Sequence, residues 1–227
     1  MSRHAFAASV LALSVLVCQL PAGANGITVP PSPSPVAGRS PEAMAVAAYN
    51  KGLDNRNRGV KAEEQAAKST KQADRLKHEK QARAEFGRAL KSFQEAARLN
   101  PALPQAWNGM GYASRKLGDF KKALEHYDRA LKIAPNFPDA IEYRAEAYLA
   151  LHRLDDAKEA YLALFAIDRQ QADLLMKAMH AWVAKRKAEP RGADPAAVAD
   201  LETWIAERTA IAQVTRSMGR DTVHRSW

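Results

Sequence analysis

Cysteine is almost missing from this chain: Cys18 is the single thiol in 227 residues. One thiol excludes an internal disulfide framework and a cysteine cage for zinc. Aromatic residues are scarce at 7%, and much of the 47% apolar fraction is alanine. That composition argues against a β-sandwich core and for closely packed helices. No proline falls between Pro41 and Pro101, and Gly87 is the one glycine between Val60 and Leu99. Turn-rich β architecture is excluded there. The longest apolar run, Ala5 to Val17, is too short to span a membrane.

Residue sets that carry chemistry are also missing. His78, His126, His152, His180 and His224 include no pair at i, i+4, and there is no HExxH. No sequence resembles a nucleophile elbow. Gly109-Met110-Gly111 falls inside a helical pattern, where it serves packing rather than phosphate binding. The expectation is a protein that is not an enzyme and needs neither metal nor cofactor. Trp182 and Trp204 lie on apolar stripes and read as core.

What is present is a period of 34 residues. Ala89, Ala123 and Ala157 are in register, as are Phe93, Tyr127 and Tyr161. Leu99, Ile133 and Ile167 follow, and Pro101 and Pro135 close two units. Two full units run from Pro104 to Phe137 and from Pro138 to Gln171. In the first, Trp107, Gly111, Ala123, Tyr127, Ala130 and Pro135 resemble the signature of the tetratricopeptide repeat. The second keeps Ala145, Tyr148, Ala157 and Tyr161, but has Leu164 where a small residue is usual and Arg169 where proline is usual. The resemblance implies an all-α repeat array, an α-solenoid, that binds other proteins.

The remaining chain divides around these units. Arg3, His4, the apolar run and Ala22-Gly23-Ala24 read as a secretory signal over 1–24, cleaved after Ala24. The exported protein would then be periplasmic. An outer-membrane lipoprotein through Cys18 is the alternative, opposed by bulky Val17. The proline-rich stretch within 25–41 reads as an extended linker. Ser40 caps a helix that Gly59 ends near Asn57, and a second helix of about 40 residues follows to Leu99. Tyr49-Asn50-Lys51-Gly52-Leu53 has a first-helix pattern, but Tyr49 lies 40 residues before Ala89, against 16 from Trp107 to Ala123. A tight turn at Gly59 would make 42–83 a hairpin arm projecting from the array. The rival is a looser loop that returns the first helix to the array. Repeats occupy 84–171, capping helices 172–217, and a frayed tail 218–227. The capping helices start at Ala172 and at Asp194-Pro195, and the second fades near Ser217.

First helices of such arrays line a concave groove. The resemblance assigns to it Gln105, Asn108, Tyr112, Arg115 and Lys116 from one unit, and Asp139, Glu142, Tyr143 and Glu146 from the next. One wall is basic and polar, the other acidic, which suits a peptide of mixed charge. Basic residues required by the family's carboxylate clamp are missing at Asp139 and Tyr143. The expected function is a protein-interaction scaffold of the bacterial cell envelope. The alternative follows from the net charge of +9 and the cluster Arg75, Lys77, Lys80 and Arg83: an adaptor whose basic arm binds an anionic polymer or membrane surface. Nucleic acid is not expected as a partner. Partner identity and oligomeric state are not encoded in any motif.

Overall fold

The computed structural model describes residues 40–190 and 192–223. These form helices α1 (Pro41–Lys68), α2 (Gln72–Leu99), α3 (Pro104–Lys116), α4 (Phe120–Ile133), α5 (Pro138–Ala150), α6 (Leu154–Ile167), α7 (Arg169–Ala188) and α8 (Pro195–Val223). No strand occurs among the described residues. The expected signal, most of the linker, Arg191 and the end of the tail lie outside them.

Ser40 starts α1 as expected: its Oγ accepts from the Ala43 N–H at 3.2 Å, and Pro41 takes the first helical position. Gly59 does not end this helix. The α1 helix continues to Lys68, and the chain turns at Ser69 to Lys71 before α2. The physical reason is at the glycines. A glycine inside a helix costs only about 1 kcal/mol against alanine, and here its bare surface is used for packing. The Phe86 ring lies where a Gly59 side chain would be, and the Phe93 ring lies on Gly52. Both phenylalanines are fully buried. The expected short helix and 40-residue helix are thus two helices of 28 residues each, packed against each other, with the break between them at Ser69 to Lys71. The first half of α1 returns to the array, where Tyr49 and Leu53 pack around Phe93. Only the outer end of the hairpin stands clear. Beyond Ala62 and Ala82, Ala66 alone is buried.

The regular repeats follow the 34-residue register. Ala89, Phe93, Ala96, Ala123, Tyr127, Ala130, Ala145 and Ala157 are completely buried, and Tyr161 nearly so. Gly111 faces the Tyr127 ring as Gly52 faces Phe93. Helix backbones approach closely at these points because one side has no Cβ. Pro104 and Pro138 open first helices, while Pro135 sits in the turn between units. Trp107 Nε1 donates to the Pro101 carbonyl at 2.9 Å, tying α3 to the end of α2. Asp119 caps α4 by accepting from the Lys122 N–H. The left-handed turn residue is Gly118 (φ 88°) in one unit and His152 (φ 59°) one period later. A non-glycine residue there is strained, and the His152 ring meets Trp182 edge-on at 5.6 Å.

Leu164, where the second unit departs from the pattern, is fully buried. Arg169 replaces proline by starting α7 directly. Asp168 caps that helix through the Gln170 and Gln171 N–H groups at 3.0 Å, and the Arg169 guanidinium lies 3.5 Å from the Phe165 ring centre. The α7 helix therefore begins earlier than Ala172, because the Asp168 cap replaces the missing proline break. Helix α8 extends past Ser217 to Val223. Buried Leu201 and Ile205, with Trp204 edge-on to Tyr161 at 5.4 Å, join it to the same core as α4 to α7.

Candidate functional site

Helices α1, α3, α5 and α7 lie side by side as the first helices of successive hairpins. Gly52 and Gly111 occupy the same place relative to the aromatic ring of the partner helix. That equivalence puts Tyr49 level with Asn108 and Arg56 level with Arg115. The residues expected to line a groove on α3 and α5 therefore have α1 as a further neighbour.

The centre of this set of residues is an aromatic and charged cluster. The Tyr112 and Tyr143 rings meet edge-on, with centroids 5.3 Å apart. The Arg115 guanidinium lies over both, at 5.3 and 5.5 Å, and pairs with Glu146. Burial opposes its charge, but the Glu146 carboxylate and the Tyr127 oxygen beside it hold Arg115 firmly ionised. Burial also raises the phenols of Tyr112, Tyr127 and Tyr143. Glu142 is 4% exposed. Burial, and then the neighbouring Glu146 carboxylate, push its carboxyl up to about 8. Asp139 is raised by burial and by Asp168, with Arg56 acting against both. Its Oδ1 accepts from Gln171 Nε2 of α7 at 2.7 Å.

Residues of the two expected walls therefore meet and partly satisfy each other. Tyr112, Arg115, Tyr143 and Glu146 form one contacting group, with Glu142 and Asp139 beside it. Of the other three expected residues, Asn108 and Gln105 stand apart, and Lys116 lies at the edge, 5.9 Å from the Tyr112 ring centre. Asn108 is buried, and its Oδ1 has no hydrogen-bond partner among the described residues. Gln105 is exposed and borders a shallow cleft with Pro135, Asn136 and Phe137 at the turn between repeats. Lys116 faces the hairpin, pairing with Glu63 and lying 5.5 Å from the Phe86 ring centre.

Three residues of α1 were missed. Tyr49 packs on Phe93 at 5.6 Å. Arg56 lies over Tyr112 at 5.8 Å and donates to Asn57 Oδ1 at 3.1 Å. Glu63 holds Lys116. The Tyr49 to Leu53 pattern was the available signal, and the turn wrongly placed at Gly59 concealed its consequence.

One comparison fixes the repeat. Residues 104–137 match the family model for the tetratricopeptide repeat. The array has the tetratricopeptide-repeat fold. No curated protein matches the chain. Among solved structures, it is similar to the first tetratricopeptide domain of human RPAP3, at 16% identity over 65% of this chain and 98% of that one, with a TM-score of 0.47. The Arabidopsis OM64 domain is similar at 19% identity over 57% and 94%, with a TM-score of 0.41. The first domain of Spaghetti, bound to an HSP90 peptide, is similar at 18% identity over 59% and 94%, with a TM-score of 0.41.

Proposed function

We propose that this protein is a non-enzymatic interaction scaffold of the bacterial cell envelope. It is exported with cleavage after Ala24 and holds a peptide or protein partner on the concave face of α1, α3 and α5. The observation that carries the reading is the row of first helices lined by Tyr49, Arg56, Tyr112 and Tyr143. Aromatic rings and arginines give flat contact area at low entropic cost, and such residues dominate binding energy at interfaces. The central cluster is already engaged, so it forms a rigid floor. Contact falls to the half-buried Tyr49 and Arg56 and to exposed Gln105.

The test uses exposed rim positions, because cutting the floor would also loosen the fold. Val46, one turn before Tyr49, and Gln105 are both exposed. Val46→Arg with Gln105→Arg should abolish capture of the partner from envelope extract while helicity and melting stay as in the wild type. The same two-arginine load on second helices, Gln94→Arg with Glu125→Arg, should leave capture intact. Equal loss in both variants refutes the groove.

A further inference from the structure

We propose that the outer half of the α1–α2 hairpin is a second docking surface, one that takes a flexible, linear polyphosphate-type polyanion. The first observation is length. Each of these helices has 28 residues, against 13 and 14 in the first regular repeat. The core reaches only as far as Phe86, Ala82 and Ala62, which pack with Val60, Tyr112 and Leu117. The chain beyond that point is ordered as helix with Ala66 as its one buried side chain.

The second observation is the charge that this extension carries. Lys68, Lys71, Arg75, Lys77, Lys80 and Arg83 are all exposed. None is in a salt bridge among the described residues, and Glu64–Lys68 and Glu79–Arg83, spaced to pair along a helix, stay open. Exposed charges elsewhere do pair locally: Arg98 with Glu95 at 2.7 Å, Lys122 with Asp119 at 2.9 Å, Arg153 with Asp156 at 2.8 Å. The extension thus keeps its cations available. A shallow groove borders it where the hairpin leaves α3, lined by Leu76, Glu79, Lys80, Arg83 and Lys116.

The third observation selects the occupant. Cations spread along the length of the hairpin match a line of charge rather than a surface met end-on. The turn Ser69, Thr70, Lys71 has no apolar side chain to enter a lipid layer, and Leu76 is the one large exposed apolar residue on the extension. No Phe, Tyr or Trp lies between 61 and 85 to stack on bases, and the one other ring there, His78, is half-buried. A single apolar side chain gives an acidic protein segment little to anchor on. Lysine-rich, evenly spread cations suit repeated phosphates, which they bind by releasing counterions.

The experiment is binding of long-chain inorganic polyphosphate to the purified protein across a sodium chloride series. If all six cations engage, log affinity should fall with log salt at a slope of about −4, taking about 0.7 per neutralised charge. Lys77→Gln with Lys80→Gln and Arg83→Gln should flatten the slope by about 2 and weaken low-salt binding at least tenfold. Circular dichroism should show unchanged helicity, since all three side chains are exposed. Neutralising Lys121, Lys132 and Lys185 together should leave the slope unchanged. The groove variant Val46→Arg with Gln105→Arg should bind polyphosphate as the wild type does, which separates this surface from the concave one. Equal loss in the two lysine sets overturns the proposal, because net charge alone would then explain binding. Binding of polyglutamate or of phosphatidylglycerol vesicles without polyphosphate binding overturns it as well. So does no binding to any of the three.

Discussion

Gly59→Ala and Gly87→Ala make the same chemical change in two neighbouring helices, and their difference isolates a packing contact. Both glycines are inside helices, so alanine gains about 1 kcal/mol of helix propensity at each. A Cβ at Gly87 meets nothing within 4 Å. Gly87→Ala should therefore stabilise the protein by about 0.5–1 kcal/mol. A Cβ at Gly59 would lie 2.6 Å from Phe86 Cε1 and 2.8 Å from Cδ1. The Phe86 ring is 1% exposed and packed with Ala62, Ala82 and Tyr112, so making room for a Cβ means shifting packed side chains. Overpacking of this kind costs about 1–3 kcal/mol, which cancels or exceeds the propensity gain. The two variants should differ by about 1–3 kcal/mol in urea denaturation, or by roughly 2–12 °C in melting temperature at about 2–4 °C per kcal/mol. If Gly59→Ala stabilises as much as Gly87→Ala, the Phe86 ring does not lie on Gly59 and the hairpin packing is wrong.

Other outcomes follow from the groove and the termini. The folded-state pKa of Glu142 lies above its unfolded value, so the native state holds the extra proton between pH 4.5 and about 8, and stability falls as pH rises through that window. Glu142→Gln should flatten this fall and stabilise the protein at about pH 9 by about 1–3 kcal/mol, read from urea melts at about pH 5 and about pH 9. Arg115→Leu strands the Glu146 carboxylate on the groove floor and should cost about 2–4 kcal/mol by denaturant melts, while the exposed Arg98→Leu should change little. Amides of residues 67–81 should exchange faster than those of α3 to α6 in hydrogen-exchange mass spectrometry, because that segment has no buried side chain. N-terminal sequencing of the exported protein should begin at Asn25, and a lipid on Cys18 would refute that processing.

The repeats were legible because their constraint is local and periodic. Ala123, Tyr127 and Ala130 stand at fixed spacings that the close approach of two helices demands, and all three are completely buried. The hairpin was less legible for an equally physical reason. A glycine within a charged stretch has two meanings, a helix end or a landing place for a ring, and the ring at Phe86 lies 27 residues further on. Sequence spacing within α1 carries no record of it. The start of α7 was hidden in the same way, since Asp168 supplies the cap that a missing proline seemed to deny. The residues expected to line the groove lie on α3 and α5, but their mutual pairing was not visible. Arg115 and Glu146 are 31 positions apart and meet only because two units stack. Charge written along a chain shows which walls exist, and only packing shows that they touch.

The central claim is that the shared face of α1, α3 and α5 holds a protein partner. A photo-crosslinking amino acid placed singly at Val46, Gln105, Gln94 and Glu125 tests it most directly, since all four positions are exposed. Irradiation in the native envelope should give the same discrete protein adduct from Val46 and Gln105 and none from Gln94 and Glu125. An adduct from the second-helix positions with none from Val46 and Gln105 would contradict the account.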